Sequence, residues 1–202
     1  MLATKLSRRG GRRPLKTQAG TAAVEFAMVA AIFFMFVFGV IELARLLFVY
    51  NTLHEVTRRA AAAAVNAYPR DANAIANVRQ YAIFRSAPGD LIIANPITDR
   101  HVRLEYLRFD LTVIPEASWP DSAGANRQVC MMNPRAPTCI RFVQARVCDP
   151  ADTGQCNRVT SQMLLPLVNL AVPFHRATTI VPVESLGYVP GTPPPAAPPC
   201  GC

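Results

Sequence analysis

Three absences constrain this chain of 202 residues before any motif is considered. No acidic residue occurs among the first twenty, no cysteine precedes residue 130, and no second apolar run long enough to cross a membrane follows residue 50. Because a membrane helix needs about twenty apolar residues, the last absence excludes a multi-pass membrane protein. A chain of this length suits one modest domain and an anchor, and leaves little room for two full domains.

Motifs of catalysis and cofactor binding are missing as well. The sequence has no P-loop, no G-x-S-x-G and no dinucleotide-binding fingerprint. His54 and Glu55 begin a pattern close to the zinc motif H-E-x-x-H, but Arg58 stands where the second histidine would be, and a guanidinium does not ligate zinc. His101 and His175 have no local acid or cysteine arrangement that suggests catalysis. We therefore expect no enzyme activity, no cofactor and no metal site.

The main feature that is present is one apolar segment near the N-terminus. Residues 26–41 carry no charge, and apolar residues resume at Leu43 and from residue 46 to residue 50. As a helix, residues 22–50 would be roughly 44 Å long at about 1.5 Å per residue. That length exceeds the ~30 Å hydrocarbon core of a bilayer and leaves about two turns beyond it. The sequence predicts a single-pass membrane helix whose C-terminal end projects from the lipid.

The net charge of +8 is concentrated at the N-terminus. The first twenty residues carry +6, which leaves +2 for residues 21–202. The denser basic flank of a membrane helix stays in the cytoplasm, so the leader is predicted inside and the C-terminal portion outside. Because this basicity is an orientation signal, we expect no nucleic acid partner. The basic residues of the leader are Lys5, Arg8, Arg9, Arg12, Arg13 and Lys16.

All six cysteines follow the apolar segment, on the side predicted to lie outside. An oxidising compartment would pair them, and their even number fits disulfides. The first two cysteines flank a proline-containing turn sequence, and the next two flank Asp149-Pro150 and Gly154, so each interval contains turn chemistry that brings its ends together. We predict two local bridges, Cys130–Cys139 and Cys148–Cys156. The C-terminal Cys200 and Cys202 are left to pair with another chain, to stay reactive or to bind a soft metal, and oxidation is the favoured outcome.

The start of the apolar segment carries a carboxylate, Glu25, which is costly in lipid and therefore indicates a function. A cleaved signal peptide would have a shorter apolar core and small residues after it, and a twin-arginine signal would not lie ten residues before the apolar run. Gly20 lies just before that run, where we expect an extended backbone accessible to a protease. Cleavage there would create an α-amino group at Thr21, cationic near neutral pH, four residues before Glu25. The alternative is a tolerated glutamate at the headgroup boundary without cleavage.

Two stretches, Gly20-Thr-Ala-Ala-Val-Glu-Phe-Ala-Met-Val and Val40-Ile-Glu-Leu-Ala-Arg-Leu-Leu-Phe, are similar to TadE-like pseudopilins of the tight-adherence (Flp) pilus system. The resemblance covers about residues 17–65, a quarter of the chain. It implies that a membrane aspartyl prepilin peptidase cuts after Gly20, that Thr21 becomes the N-terminus and that Glu25 acts in assembly. Phe26 stands where a major pilin usually has tyrosine, and the chain is longer than a major pilin. Both departures favour a minor, pseudopilin-type subunit.

The resemblance also implies partners and a location. The expected partners are prepilin peptidase, other pilins or pseudopilins, pilus assembly membrane proteins and membrane lipid. The expected location is the bacterial inner membrane, crossed once, with the N-terminus in the cytoplasm and the C-terminal domain in the periplasm; whether the subunit enters the fibre is left open. The larger relatives with a metal-binding adhesion domain would need a D-x-S-x-S run, which this sequence lacks. The alternative function is an unprocessed single-pass protein whose outer domain binds a ligand or an envelope partner.

Beyond the membrane, the helix is predicted to continue to about residue 67, because the alanines of residues 60–64 are strong helix formers. Tyr68-Pro69 ends it, since a residue before proline is pushed out of the α region. Glu42 and Arg45 are three residues apart and form a possible pair on one helix face near the outer boundary. Two interpretations of this pair stay open, namely interfacial snorkelling and a contact between subunits.

The remaining sequence predicts a second helix and then strands. Asp71 is a candidate N-cap for a helix over residues 72–86, with Ile75, Val78 and Ala82 as its inward stripe. Period-two alternation then predicts strands, and a shift in parity at residue 107 predicts a bulge. The strand segments are 101–106, 107–113, 140–148, roughly 163–174 and 178–183.

The predicted fold class is α+β: a long N-terminal transmembrane helix that continues into a small extracytoplasmic domain with a second helix and an antiparallel β-sheet. The predicted domains are a cleaved basic leader (1–20), the helix and its extension (21–67), the outer domain (68–189) and a proline-rich tail with a C-G-C end (190–202).

Overall fold

A computed structural model describes residues 19–151, 154–163 and 171–191 of the protein. The basic leader up to residue 18, most of the predicted strand over 163–174 and the C-G-C end lie outside these residues. The described part has a long helix, two shorter helices and a three-stranded antiparallel sheet. The predicted α+β class is confirmed.

Helix α1 runs over Ala19–Ala64 and belongs to two structural units, because the chain divides into Met1–Ile41 and Glu42–Cys202. In the first unit, no side chain of the described residues 20–41 is buried. In the second unit, α1 has a buried face formed by Val49, Leu53 and Val56. The spacing of four and then three residues keeps these side chains on one side of the helix.

The helix ends three residues earlier than predicted. After Ala64 the chain tightens into turns in which the N–H groups of Asn66 and Ala67 donate to carbonyls three residues back, both at 3.2 Å. Such turns satisfy carbonyls that an ending helix would otherwise leave open. The change from α-helix to turn precedes Pro69, as the restriction on residues before proline requires.

Helix α2, Ala72–Ala82, begins where the sequence predicts. The Asp71 side chain accepts hydrogen bonds from the backbone N–H groups of Asn73 and Ala74 at 3.1 and 3.0 Å, which caps the helix. The predicted stripe of Ile75, Val78 and Ala82 is buried.

The predicted extension of this helix to residue 86 is wrong. Phe84 adopts a positive φ of 61°, a conformation that a helix does not accommodate. The Arg59 guanidinium lies 4.1 Å from the Tyr81 ring centroid and 4.3 Å from that of Phe84. It also donates to the Tyr81 carbonyl oxygen at 3.1 Å from Nη2, so a cation from α1 binds a carbonyl in the last turn of α2.

The sheet has the order β1-β2-β3, with β1 at Val102–Leu107, β2 at Phe142–Val147 and β3 at Thr178–Pro182. Both pairs are antiparallel, and Val143 of β2 lies between Tyr106 and Val181. Burial alternates along β2, so one face of this central strand packs against the helices. The predicted strands over 140–148 and 178–183 are present with slightly shorter bounds.

The predicted bulged strand over 107–113 is wrong: residues 108–112 form a tight turn, and Leu107, the last residue of β1, is joined to Val113 by an isolated antiparallel bridge. Leu111 has a positive φ of 64°, and the Arg108 N–H donates to the Thr112 carbonyl at 3.0 Å. Asp110 Oδ1 accepts from the Thr112 hydroxyl at 2.6 Å, a local bond that favours turns over strands. The parity shift at residue 107 therefore marks a change of direction.

The predicted strand near residues 163–174 falls largely on residues outside the described part. At its described end, Pro173 forms an isolated bridge with Thr160, and the Phe174 N–H donates to the Val159 carbonyl at 2.8 Å. The described residues 171–174 are not part of a named strand.

Helix α3, Ala123–Met132, was not predicted. Ser122 caps it, since its hydroxyl accepts from the Ala125 N–H at 3.1 Å. The buried Asn126 side chain accepts from the Ile140 N–H at 2.9 Å and donates to the Ile140 carbonyl at 3.3 Å. This amide joins α3 to the segment that leads into β2.

Two disulfides close short loops next to β2. They are Cys130–Cys139, which starts in α3, and Cys148–Cys156, which follows β2 directly. These are the pairings that the turn sequences predict. Loops of about ten residues reduce the entropy of the unfolded chain by an amount equivalent to roughly 2–3 kcal/mol each, a useful gain for a small core.

His101 ends a 3₁₀ turn, Asp99–His101, and is buried. Its Nδ1 accepts the Thr98 backbone N–H at 2.9 Å, so Nδ1 is unprotonated. Burial lowers the pKa of His101 below its ordinary 6.5, while the carboxylates of Asp149, Asp99 and Asp90 oppose that shift. The neutral imidazole is therefore the form that the fold prefers.

We expect the second unit to lose stability as the pH falls below about 6.5. Between the pKa of His101 in the unfolded chain and its lower pKa in the folded chain, His101 is protonated only in the unfolded chain. Over that interval the free energy of unfolding falls by up to about 1.4 kcal/mol for each unit by which the pH is lowered. The measurement is urea unfolding of the full chain in detergent from pH 7.5 to 5.5. His101→Asn, whose Oδ1 can accept the Thr98 N–H, should reduce the slope, whereas the exposed His54→Asn should retain it. Equal slopes in all three proteins would contradict the assignment.

Candidate processing and assembly segment

Gly20 is helical, since it belongs to α1, which is described over Ala19–Ala64. The expectation of an extended backbone at this glycine is wrong, and the alanine-rich sequence that follows explains why it is helical. A Cβ built at Gly20 would meet no heavy atom within 4 Å.

Thr21 and Glu25 lie on one face of α1. Residues four apart in a helix have Cβ atoms about 5–6 Å from each other, so an α-amino group created at Thr21 would lie within reach of the carboxylate. Glu25 is exposed and takes part in none of the ion pairs found among the described residues. Phe26, the next residue, is 75% exposed and points about 100° away around the helix.

The described residues 26–41 of the first unit present apolar side chains on all sides. A helix that is apolar all round is typical of a membrane span or of a helix enclosed by others. Among the described residues, one helix is long and apolar enough to cross a membrane, which agrees with a single-pass membrane protein. Its exposed apolar residues up to residue 41 include Val24, Met28, Val29, Ile32, Phe33, Phe34, Met35, Phe36, Val40 and Ile41.

Immediately after this stretch, the second unit begins with a buried ion pair. Arg45 Nη1 and Glu42 Oε1 are 2.6 Å apart, and the two residues are only 6% and 7% exposed. Arg45 Nε also donates to the Ile93 carbonyl oxygen at 2.9 Å. The Glu42–Arg45 pair is therefore a contact within the chain. Through Arg45 it connects α1 to a loop 48 residues away.

That loop, residues 91–98, is a part of the site that the sequence did not reveal. Leu91, Ala94 and Ile97 are buried and hold it in the core, while Ile92 and Ile93 are 57% and 53% exposed. Ile93 has a positive φ of 60°, a genuine outlier for a β-branched residue. The one feature of the sequence that could have indicated this loop is the absence of charge from residues 91–98. The Asn95–Pro96 peptide bond in the loop is cis.

An open groove of about 500 Å³ lies beside this loop. Its walls are almost wholly apolar and include Phe48 of α1, Phe84 after α2 and Ile92 of the loop. These three side chains are each about half exposed. All three belong to the second unit, so this unit has an exposed apolar surface of its own beside α1.

Chemistry of other kinds is sparse in the described part of the chain. His54 and His175 have ring centroids 5.5 Å apart, and both are exposed. No group of three His, Cys, Asp or Glu side chains among the described residues is arranged to hold a metal ion. The exposed apolar side chains of α1 are suited to contacts with lipid or with neighbouring chains.

Comparison with protein families finds a match to the TadE-like protein family over residues 20–62. This segment begins at Gly20 and ends near the C-terminus of α1, so the resemblance seen in the sequence is confirmed for about a fifth of the chain. Curated proteins and solved structures contain no significant match to it.

The two ion pairs on α1 allow a matched test of the buried link. Glu42→Gln would leave the Arg45 charge buried without its partner, which costs about 3 kcal/mol or more. Glu55 and Arg58 have the same spacing, but their side chains are 36% and 72% exposed, so Glu55→Gln should cause no measurable change. Urea unfolding of the full chain in detergent, followed through Trp119, provides the comparison. Equal stability of the two variants would show that the Glu42–Arg45 pair is not an anchor.

Proposed function

We propose that this chain, which carries a TadE-like segment at residues 20–62, is a pseudopilin-like minor subunit that acts in assembly of a tight-adherence type IV pilus. Prepilin peptidase processes it after Gly20, and α1 is inserted in the bacterial inner membrane. The main support for the proposal is the family match. It begins at Gly20, the residue after which cleavage is proposed.

The physical character of α1 supports insertion in the membrane. Residues 26–41 are uncharged, and none of the side chains of residues 20–41 is buried. Left in water, such a surface would be strongly unfavourable at about 25 cal/mol per Å² of apolar area. Lipid and the membrane helices of other pilins or pseudopilins are the partners that match it.

The disulfides support an outer domain in the periplasm. Structural disulfides persist in oxidising compartments and are rare in the cytosol, and both Cys130–Cys139 and Cys148–Cys156 belong to the second unit. The basic leader supports the same orientation, with the N-terminus in the cytoplasm. The charge of the leader and the disulfides of the second unit are independent observations. Both favour an N-terminus in the cytoplasm and an outer domain in the periplasm.

The proposed role is mechanical and requires no enzyme activity. In it, Gly20 is the residue before the cut, Thr21 supplies the new amine and Glu25 supplies a carboxylate to that amine or to the amine of a neighbouring subunit. Glu25 is exposed at the helix surface, where a neighbour's terminus has access to it. The charges neutralise each other, which lowers the cost of placing either in lipid.

We expect co-expression with a matching prepilin peptidase to shorten the chain by twenty residues and leave Thr21 as the N-terminus. Intact mass and N-terminal sequencing measure this directly. Gly20→Val should block the cut, because a β-branched residue restricts the backbone and fills the subsite that accepts glycine.

Gly39→Val is the matched control for this substitution. A Cβ at either glycine meets no heavy atom within 4 Å, so neither change introduces a clash within the chain. Cleavage of the Gly39→Val protein together with an uncut Gly20→Val protein assigns the effect to recognition by the peptidase. A mature protein that still starts at Met1, or that is cut at another bond, refutes processing after Gly20 and favours the unprocessed alternative.

We expect Glu25→Gln to leave insertion and cleavage intact but to reduce pilus output and co-purification of partner subunits. The amide keeps the shape of the side chain and removes the charge that would pair with an amine, while its insertion into lipid costs no more than that of glutamate. The control is Glu55→Gln, which removes an exposed carboxylate from the same helix in the second unit. Normal output from the Glu25→Gln strain would rule out an assembly role for this carboxylate.

A further inference from the structure

The loop of residues 91–98 exposes two adjacent isoleucines that contribute little to the core. Leu91, Ala94 and Ile97 face inward, so Ile92 and Ile93 are the side chains directed outward, and each is more than half exposed. No residue from 91 to 98 is charged. Ile92 shares an apolar groove with Phe48 and Phe84, which are also about half exposed, and a contiguous apolar surface of this kind is typical of an interaction site.

The loop lies beside a defined part of α1, and this position indicates the surroundings of its exposed side chains. Arg45, whose Nε is bound to the Ile93 carbonyl, lies three residues after Glu42, the first residue of the second unit, or about 4–5 Å along the helix axis. Ile92 lines the same groove as Phe48, which lies about 9 Å beyond Glu42. Both residues therefore lie within the first two turns of the part of α1 that belongs to the second unit. The headgroup layer on each side of the hydrocarbon core is about 5–7 Å thick.

The conformation of the loop favours exposure of these side chains. A positive φ at a β-branched residue is costly, and the surroundings of Ile93 hold it there. The Arg45 guanidinium binds the Ile93 carbonyl, Glu42 binds that guanidinium, and the three inward side chains anchor the loop on both sides. The buried ion pair thus fixes an apolar tip at the level of residues 45–48.

We propose that residues 91–95 form a membrane-interface contact, in which Ile92 and Ile93 enter the headgroup region of the outer leaflet. The occupant is lipid because the apolar surface of α1 is continuous at this level, with exposed Leu43, Leu47 and Phe48, and because the loop offers no charge to a protein partner. The contact requires that α1 span the membrane. It requires neither cleavage nor a pilus, so its test is independent of both.

The test uses the full chain reconstituted in phosphatidylethanolamine–phosphatidylglycerol vesicles that contain lipids brominated near the headgroup end of the acyl chains. Ile92→Trp places a fluorophore at the tip, and tryptophan is itself favoured at membrane interfaces. The native Trp119, the single tryptophan of the chain, provides the baseline signal. We expect the added fluorescence of Ile92→Trp to be lost in brominated vesicles and retained in unbrominated ones.

Ile180→Trp is the matched control. Ile180 is also an exposed isoleucine, at 42%, but its neighbour Thr179 contacts Thr57 of α1, roughly 23 Å beyond Glu42 along the helix. Its fluorescence should not change with bromination. Quenching of Ile92→Trp that is no greater than that of Ile180→Trp overturns the proposal. Protection of Ile92→Trp from acrylamide without bromolipid quenching also overturns it, because a protein would then cover the tip.

A second measurement needs no substitution and keeps the proposal testable if Ile92→Trp does not fold. The wild-type chain is reconstituted with a lipid that carries a photoactivatable diazirine close to the glycerol backbone, irradiated and digested with trypsin. Cleavage after Arg85 and Arg100 isolates the loop as peptide 86–100, and cleavage after Arg176 isolates β3. Lipid adducts on peptide 86–100 and not on the β3 peptide support the contact; equal labelling of the two, or none on peptide 86–100, refutes it.

Discussion

The structure depends on one constraint, which is that a single helix has to suit two different surroundings. Up to Ile41, α1 presents apolar side chains in every direction. From Glu42 onward, one of its faces is the centre of a protein core that includes Val49, Leu53 and Val56. The ion pair of Glu42 and Arg45 stands at the first residues of the second region, and both charges are paired and buried there. Without such pairing, two charges removed from water at this point would be strongly unfavourable.

The features that the sequence predicted correctly are those governed by local chemistry. Asp71 caps α2 and its stripe is buried because capping and helical periodicity act over a few residues. The two disulfides follow from turn residues between close cysteines. The TadE-like segment was recognised because a glycine, a carboxylate and an apolar run have a fixed spacing, and the family match over residues 20–62 confirms that resemblance. In each case the decisive partners are near one another in the chain.

The features that were missed depend on distant residues or on backbone conformations that no motif marks. Gly20 was expected to be extended, whereas the helix-forming residues after it carry the helix back to Ala19. The strand over 107–113 was inferred from parity alone, and the left-handed conformation of Leu111 cannot be read from leucine. The Arg45–Ile93 bond joins residues 48 apart, so only the folded chain reveals that the helix-face pair holds a loop. Ser122 caps α3, but the only buried residue of α3 is the polar Asn126, so this helix has no buried apolar stripe that periodicity could reveal.

The separation in sequence between contacting residues also limits the order in which contacts can form as the chain is made from its N-terminus. Each disulfide joins cysteines only nine or eight residues apart, so the two partners of each bridge become available almost together. The hydrogen bond between Thr57 and Thr179 spans 122 residues, and β3 cannot join the sheet until nearly nine-tenths of the chain has been made. The two local cross-links can therefore form before the sheet is complete. Until β3 joins, the side of α1 that carries Thr57 lacks this contact with the sheet.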